Sequence, residues 1–228
     1  DPGEEASVLQ CAQVALWIKP GLDALRLRSF VKCSGSKGLH LYVPLNRTVS
    51  YEETQAFARR LSELLAERHP HLVVSVMDKL VCKGKVFIDW SQNAAHKSTV
   101  CVYSLRATKL GPTVSMPLRW GVLRAALRAK DAEPFCLGPE AALKQLAGTG
   151  DLFAPLLQCQ QHLPTNLDAA ADVLRHKLPL QGERLTIPLT QKATPGRGSR
   201  EFPKHETNVG VGAVSSIIRT LPKAAPKF

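Results

Sequence analysis

One short stretch of the sequence, KCSGSKGLHLYVPL at residues 32–45, brings together three side chains that suit phosphate chemistry. Ser34 offers a hydroxyl donor, Lys37 a mobile cation and His40 an imidazole, between two apolar segments typical of β-strands. The two glycines of this loop would let backbone amides approach an anion closely. Phosphate is the ligand that fits this set best, although the spacing is not that of a Walker A loop. A solvated hairpin turn is the alternative, which the loop alone does not exclude.

Two further segments end on polar side chains that can do chemistry. Asp89 lies at the end of KVFIDW, where a buried carboxylate has to be paired, hydrogen-bonded or bound to a metal ion. Gln92 follows it as a neutral polar ligand. Arg106 lies near the end of VYSLRA and can offer a bidentate guanidinium group to a phosphate. The alternative is structural: Asp89 would form a salt bridge with Lys83, Lys85 or Arg106.

The composition favours a polyanionic partner. The 228 residues contain 30 Lys and Arg against 19 Asp and Glu, a net charge of +11. A surplus of this size suits nucleic acid, nucleotides or an anionic membrane surface. The six cysteines are scattered, without a CxxC pair or histidines at zinc-finger spacing, so we predict reduced, mostly buried thiols and no zinc site.

The ends of the chain carry signals of their own. No signal peptide and no membrane-spanning apolar run is visible, which predicts a cytosolic protein. The sequence begins with DPG, has no initiator Met and enters a predicted helix almost at once, so we expect a fragment of a longer protein. From residue 178 the periodicity is lost, and residues 178–228 are rich in Pro, Gly and basic residues, which predicts a linker or disordered tail.

Strand and helix patterns alternate along the rest of the chain. Strands are predicted at LRSFVKCS, LHLYVPL, HLVVSVM, KVFIDW and STVCVYSLRA. Helices are predicted over residues 6–25, with Pro20 and Gly21 interrupting the pattern, and at SYEETQAFARRLSELLAERH, WGVLRAALRAK, GPEAALKQLAGTGDLFAPLLQ and NLDAAADVLRHKL. Ser50 and Glu53 have the spacing of a capping box. This mixture predicts the α+β, or mixed α/β, fold class.

Several of these motifs, in this order, resemble one family. SGSKGLHLYVPL, VFIDWSQN, VYSLRA and MPLRW are similar to motifs of the polymerase domain of bacterial ATP-dependent DNA ligase D, an archaeo-eukaryotic primase-like domain of non-homologous end joining. DPG resembles the end of the family's Asp-x-Asp-Pro-Gly metal motif, and GDLFAPLL its closing segment. The resemblance implies a central, mostly antiparallel sheet flanked by helices, incomplete at the N-terminus. It divides the chain into the C-terminal portion of that domain (1–160), a terminal helix (161–177) and the basic tail (178–228).

The resemblance also implies roles for the two aspartates. Asp1 would be the second aspartate of the paired metal motif, and Asp89 the third carboxylate of the site. Together they would be catalytic metal ligands for two divalent ions, Mn²⁺ or Mg²⁺. Such ions would bridge the nucleoside triphosphate and the primer 3′-hydroxyl for in-line attack.

The remaining site residues would bind the nucleotide. By resemblance, Ser34, Lys37 and His40 would grip the triphosphate. Arg106 would neutralise the charge that grows on it, with Gln92 assisting. These five residues form the implied triphosphate-binding site.

The implied function is nucleotide addition, often of ribonucleotides, to DNA ends or short gaps during end joining. The expected partners are gapped DNA or DNA ends and nucleoside triphosphates, with the end-joining protein Ku as a candidate, in a bacterial cytoplasm near the nucleoid. Because the first aspartate of the pair lies outside the sequence, an inactive DNA- or nucleotide-binding fragment is one alternative. An interaction protein whose motifs are coincidental is another.

Overall fold

The computed structural model describes residues 1–109 and 111–180 of the chain. Its helices are α1 (Val8–Ala24), α2 (Tyr51–Arg68), α3 (Lys79–Cys82), α4 (Trp120–Ala129), α5 (Pro139–Thr149) and α6 (Leu167–Lys177). Its strands are β1 (Phe30–Cys33), β2 (Leu39–Tyr42), β3 (Val73–Val74), β4 (Val86–Phe87), β5 (Leu105–Thr108), β6 (Gly111–Val114) and β7 (Pro117–Leu118). Short 3₁₀ turns cover Trp90–Gln92, Glu133–Phe135 and Ala154–Gln158.

The strands pair mostly antiparallel, in three small sheets. β1 lies between β2 and β7, and β5 pairs with β6 in a hairpin, all antiparallel. β3 and β4 are parallel, and Pro2 forms an antiparallel bridge to Val86 on the other side of β4. The predicted mixed helix-and-sheet class with mostly antiparallel pairing is confirmed.

Helices cover the sheets and form the core with them. α1 packs against β2, β4, α4 and α6, whereas α2 packs against β3, α6 and the Trp90–Gln92 turn. All residues of β1 and β2 are buried, which agrees with the largely apolar character of the two predicted strands. Within residues 1–109 and 111–180, no helix has the length and apolar character needed to cross a membrane.

Capping boxes begin both long helices. Ser50 Oγ accepts a hydrogen bond from the Glu53 amide (3.1 Å), and Glu53 Oε2 accepts one from the Ser50 amide (2.7 Å), as predicted. Ser7 and Gln10 form the equivalent pair at the start of α1. Each box satisfies amide groups that have no partner within the helix, which stabilises the first turn.

Helix α1 continues through Pro20, although the sequence predicted an interruption there. Burial against neighbouring elements compensates for the hydrogen bond that a proline cannot donate. The next residue, Gly21, allows close packing of α1 on α6. A Cβ atom at Gly21 would lie 2.8 Å from Cδ2 of Leu174.

One strand prediction is partly wrong. Of STVCVYSLRA, only the end lies in β5, and the part before Leu105 forms a turn in which Tyr103 has φ of +64°. The Tyr103 amide donates to the Ser115 carbonyl (2.8 Å) and the Ser104 amide to the Cys101 carbonyl (3.3 Å). The alternation of apolar residues could not show that these two amide groups donate to the carbonyls of Ser115 and Cys101.

The predicted terminal helix corresponds to α6, which begins after its N-cap Asn166. The segment before it is held by the Gln161 side chain, which accepts from the Arg28 amide and donates to the Arg28 carbonyl. Of the predicted tail, residues 178–180 are described, and there His69 Nε2 lies 2.9 Å from the Pro179 carbonyl oxygen. The rest of the predicted tail lies outside the described residues.

Candidate active site

The loop between β1 and β2 is shaped by Ser34. Its Oγ accepts hydrogen bonds from the amides of Ser36 and Gly38, at 3.2 Å each. Its own amide donates to the Gly38 carbonyl at 2.9 Å. A hydroxyl that accepts in this way still has a proton to donate. Ser34 therefore holds the loop closed and can offer that proton to an anion.

The two loop glycines lie against two predicted site residues. A Cβ atom at Gly35, which has φ of +70°, would lie 2.9 Å from Cγ of Arg106. A Cβ atom at Gly38 would lie 2.5 Å from Oδ1 of Asp1. The loop thus lies between a carboxylate and a guanidinium-bearing side chain that are 105 positions apart in the sequence.

Lys37 and His40 have different surroundings. Lys37 is exposed in the loop, and no acidic side chain forms an ion pair with it within the described part of the chain. His40 is buried in β2 opposite Lys32 of β1, so both side chains lie on the same face of the sheet. Lys37 is therefore the more accessible of the two for a soluble anion.

The carboxylate of Asp89 is buried and oriented by its neighbours. It directly precedes the Trp90–Gln92 turn, and 5% of its surface is exposed. Ser91 Oγ donates to its Oδ1 at 2.6 Å, and Gln92 Nε2 donates to its Oδ2 at 2.8 Å. Gln92, predicted to assist at the triphosphate, here contacts Asp89. Each carboxylate oxygen retains lone-pair capacity for a metal ion.

The structural alternative for Asp89, a salt bridge with Lys83 or Lys85, is not formed. Lys83 pairs instead with Glu5 at 3.0 Å, and Lys85 Nζ donates to the Pro70 carbonyl at 2.6 Å. Among the described ion pairs, none joins Asp89 to Arg106. These findings leave hydrogen bonding and metal binding as the roles open to this buried carboxylate.

Asp1 lies beside β4, close to Asp89 in the fold. Its carbonyl accepts from the Phe87 amide and its backbone nitrogen donates to the Phe87 carbonyl, both at 2.8 Å. The pairing places Asp1 opposite the strand that leads into Asp89.

A lysine that the site prediction missed, Lys32, lies in β1 just before the loop. The side chain of Lys32 is fully buried, and its Nζ donates to Ser115 Oγ (2.5 Å) and to the Val100 carbonyl (3.1 Å). Burial lowers its pKa to about 8. The available signal was a lysine inside the apolar strand SFVKC, which is an unusual position for a solvated cation.

The oxygen donors present suit a hard divalent cation. Asp1 and Asp89 provide carboxylates, which Mg²⁺ and Mn²⁺ prefer. Within the described residues, no group of three or more His, Cys, Asp or Glu side chains is placed to hold a metal ion. Two carboxylates fit a site that completes its coordination with water or phosphate oxygens, as magnesium sites commonly do.

Comparison with known proteins identifies the family. The model of the LigD primase-polymerase domain matches residues 1–153. The chain belongs to this family. The interpretation of its motifs as coincidental is therefore wrong.

The relatives are longer LigD proteins. The chain is 40% identical over 156 residues to the multifunctional non-homologous end joining protein LigD of Mycolicibacterium smegmatis, covering 68% of this chain and 20% of that protein. It is 41% identical over 157 residues to the LigD end joining DNA repair protein of Mycobacterium tuberculosis H37Rv, with the same coverage. The chain thus spans about a fifth of the length of these LigD relatives.

A solved LigD structure has the same fold. The polymerase domain of Mycobacterium tuberculosis ligase D, in complex with DNA, matches with a TM-score of 0.61 and 38% sequence identity. The match covers 71% of this chain and 54% of that one. The LigD fold therefore extends over most of the described residues.

Proposed function

We propose that this chain belongs to a DNA repair nucleotidyltransferase that adds nucleotides to DNA ends or short gaps during non-homologous end joining. The observation that carries the proposal is the position of the Ser34–Gly38 loop, with Asp1 against one glycine and Arg106 against the other. A metal–triphosphate complex needs carboxylates at its metal end and cations along its phosphates. Asp1 and Arg106 bring a carboxylate and a cation to opposite sides of this one loop.

Each residue of the site has a part in this proposal. Asp1 and Asp89 would hold two divalent ions, Mn²⁺ or Mg²⁺, which would lower the pKa of the primer hydroxyl and neutralise phosphate charge. Ser91 and Gln92 keep the Asp89 carboxylate oriented through their hydrogen bonds.

The loop and β5 would bind the phosphates. The Ser34 hydroxyl and the Lys37 ammonium group would donate to triphosphate oxygens from the loop. Arg106 would stabilise the charge that develops as the phosphoryl group transfers. His40, on β2 beside the loop, would complete the phosphate-facing set.

DNA and nucleoside triphosphates are the proposed partners. The net charge of +11 favours contact with a phosphate backbone, and the structural neighbour from Mycobacterium tuberculosis is bound to DNA. We propose ribonucleotides as the preferred nucleotides. Because the relatives are named as end joining proteins, Ku is the candidate protein partner.

A second candidate function is binding of DNA or nucleotide without catalysis. It is favoured by one observation: the described residues offer two carboxylates at the site and no group of three possible metal ligands. A two-metal reaction usually shares its ions among more carboxylates than two.

Primer extension on gapped DNA with ribonucleotides and Mn²⁺ tests the first proposal. We expect template-directed addition of one or a few nucleotides by the chain. The Asp89→Ala variant should lower the rate by about 100-fold or more, because it loses a metal ligand. The Glu67→Ala variant, which removes an exposed carboxylate on α2, should retain the wild-type rate.

The outcomes separate the two candidates. Addition that persists in Asp89→Ala would remove Asp89 from the metal site. Salt-sensitive binding to gapped DNA with no addition by the wild-type chain would favour the binding function, because phosphate contacts release counterions. Absence of both would contradict both candidates.

A further inference from the structure

Lys32 is a buried, charged side chain to which the proposed mechanism gives no role. Its side chain has 0% exposure, and no acidic side chain pairs with it within the described residues. Two oxygen atoms accept its hydrogen bonds, those of Ser115 Oγ and the Val100 carbonyl. An apolar side chain of similar volume would serve stability at least as well, since burying a cation is costly.

The contacts of Lys32 extend to the segment that carries Arg106. Ser115 Oγ donates to the Cys33 carbonyl at 3.0 Å, so Ser115 is held against β1. The Ser115 amide donates to the Ser104 carbonyl at 2.9 Å. Ser104 is two residues before Arg106 in the chain. The ammonium group therefore joins the segment that precedes β5, at Val100, to the residue that follows β6, Ser115.

The same region is tied to the phosphate-binding loop. Thr113 lies opposite Arg106 in the β5–β6 hairpin, and its Oγ1 donates to the Gly35 carbonyl at 2.5 Å. The Arg106 side chain lies against Gly35 itself. A shift of the segment that Lys32 holds would move Arg106 relative to the loop.

We propose that Lys32 is a positioning residue for the nucleotide triphosphate, which fixes Arg106 beside the Ser34–Gly38 loop through its contacts with Val100 and Ser115. This inference rests on the proposed function. The buried charge also raises the positive potential at the loop, because a charge in a low-dielectric interior is weakly screened. Lys32 acts through Arg106 and the loop, without contacting the nucleotide.

The ionisation of Lys32 is compatible with this role. Burial lowers its pKa to about 8, while the thiols of Cys33 and Cys101 raise it and Arg106 lowers it further. Lys32 is therefore mostly charged at neutral pH and loses its proton in mildly alkaline solution. The titratable or charged side chains around it are Cys33 on β1, His40 and Tyr42 on β2, Cys101 in the turn and Arg106 on β5.

The test compares nucleotide affinity in Lys32→Met and wild-type protein. The dissociation constant for ATP with Mn²⁺ is measured by titration in the presence of gapped DNA. We expect Lys32→Met to weaken ATP binding about tenfold, with unchanged affinity for DNA and an unchanged or higher melting temperature. The control is Lys19→Met on α1, whose lysine pairs with Asp23 and should not affect ATP binding.

Measuring ATP affinity at several pH values adds a second test, because a purely structural role of Lys32 would not change the pH dependence of that affinity. From pH 7 to pH 9 the wild-type affinity for ATP should fall as Lys32 loses its proton. The Lys32→Met variant should lack that part of the fall. Parallel pH profiles for the two proteins would overturn the inference.

Ser115→Ala is the second variant, and it tests the positioning role of Lys32 if Lys32→Met fails to fold. It removes one acceptor of the ammonium group and should weaken ATP binding in the same direction, by about threefold. Wild-type affinity in whichever of the two variants folds would overturn the inference while leaving the proposed function intact. Absence of ATP binding by the wild-type chain would overturn the proposed function, and the inference with it.

Discussion

At the scale of single residues, hydrogen bonds with neighbouring residues orient two parts of the candidate site. Ser91 and Gln92 orient Asp89, and Ser34 closes the loop that carries Lys37. The residue type of Gln92 suggested a contact with phosphate, because its side-chain amide can donate a hydrogen bond. In the fold this amide donates to the Asp89 carboxylate instead. We therefore expect Gln92 to influence metal binding more than nucleotide binding.

Replacing Lys37 should weaken nucleotide binding specifically. We expect Lys37→Ala to raise the apparent KM for ribonucleotides about tenfold, because an exposed cation in the loop is lost. DNA affinity should change little. Steady-state primer extension at varied nucleotide concentration measures both KM and kcat. Lys144→Ala, which removes an exposed lysine from α5, is the matched control, and an unchanged KM in Lys37→Ala would exclude Lys37 from the site.

Alanine at the two loop glycines should have different effects. Gly38→Ala places a Cβ atom 2.5 Å from Oδ1 of Asp1, so the Asp1 carboxylate has to move and nucleotide addition should fall strongly while the fold is retained. Gly35→Ala should lower the free energy of unfolding by about 1–2 kcal/mol, because φ of +70° is unfavourable for alanine and the backbone nitrogen of Ser115 would lie 3.0 Å from the new Cβ. Urea unfolding and primer extension on both variants check this. Equal loss of stability in both would contradict the assignment of Gly38.

At the scale of elements, α2 supports the turn that carries the site. Its Arg59 guanidinium lies 5.0 Å from the ring centre of Trp90, the residue after Asp89. Ser62 Oγ lies 3.5 Å from the Ile88 carbonyl oxygen. The stability of α2 should therefore matter for the site through the packing of the Trp90–Gln92 turn.

The capping box of α2 gives a test at this scale. Ser50→Ala removes the acceptor for the Glu53 amide and should lower the free energy of unfolding by about 1 kcal/mol. Urea denaturation measures the change, with Ser98→Ala, at an exposed position outside the helices, as the control. A midpoint equal to that of the wild type would show that the cap contributes little to this helix.

At the scale of the whole molecule, most of the positive charge can face an anionic partner, but one lysine is buried in the core. The net charge of +11 favours anionic partners, yet Lys32 is withdrawn from solvent into the core. Because its pKa is lowered to about 8 from an ordinary value of 10.5, the unfolded chain binds more protons than the folded one between these values. Stability should therefore rise with pH in that window.

This rise in the free energy of unfolding should be measurable between pH 8 and pH 9. Lys32 should contribute about 1 kcal/mol of added stability over that interval. Burial raises the pKa of Cys11 and Cys33 above their ordinary value of 9.0, so these thiols oppose the rise above pH 9. Thermal unfolding of wild-type and Lys32→Met protein at both pH values checks this. An equal pH dependence in the two proteins would contradict the assignment to Lys32.

Much of the fold was predictable because it depends on neighbours in the sequence. The Ser50–Glu53 capping box, the periodicity of α2 and α6, and the short strands around the loop all follow from local patterns. The turn before β5 and the continuity of α1 through Pro20 were not predictable in this way. In both cases, contacts with distant elements outweigh the local preference.

The candidate site, like the fold, has features set by the local sequence and features set by contacts between distant segments. By itself the sequence determined the residue types of the loop, the carboxylate after β4 and, through its motifs, the family. The tertiary structure alone decided that Asp1 meets Gly38, that Arg106 meets Gly35, and that Lys32 is buried against Ser115. Local patterns report only interactions along a few residues of chain, whereas these contacts join segments 37 to 83 positions apart and arise from the packing of the whole core.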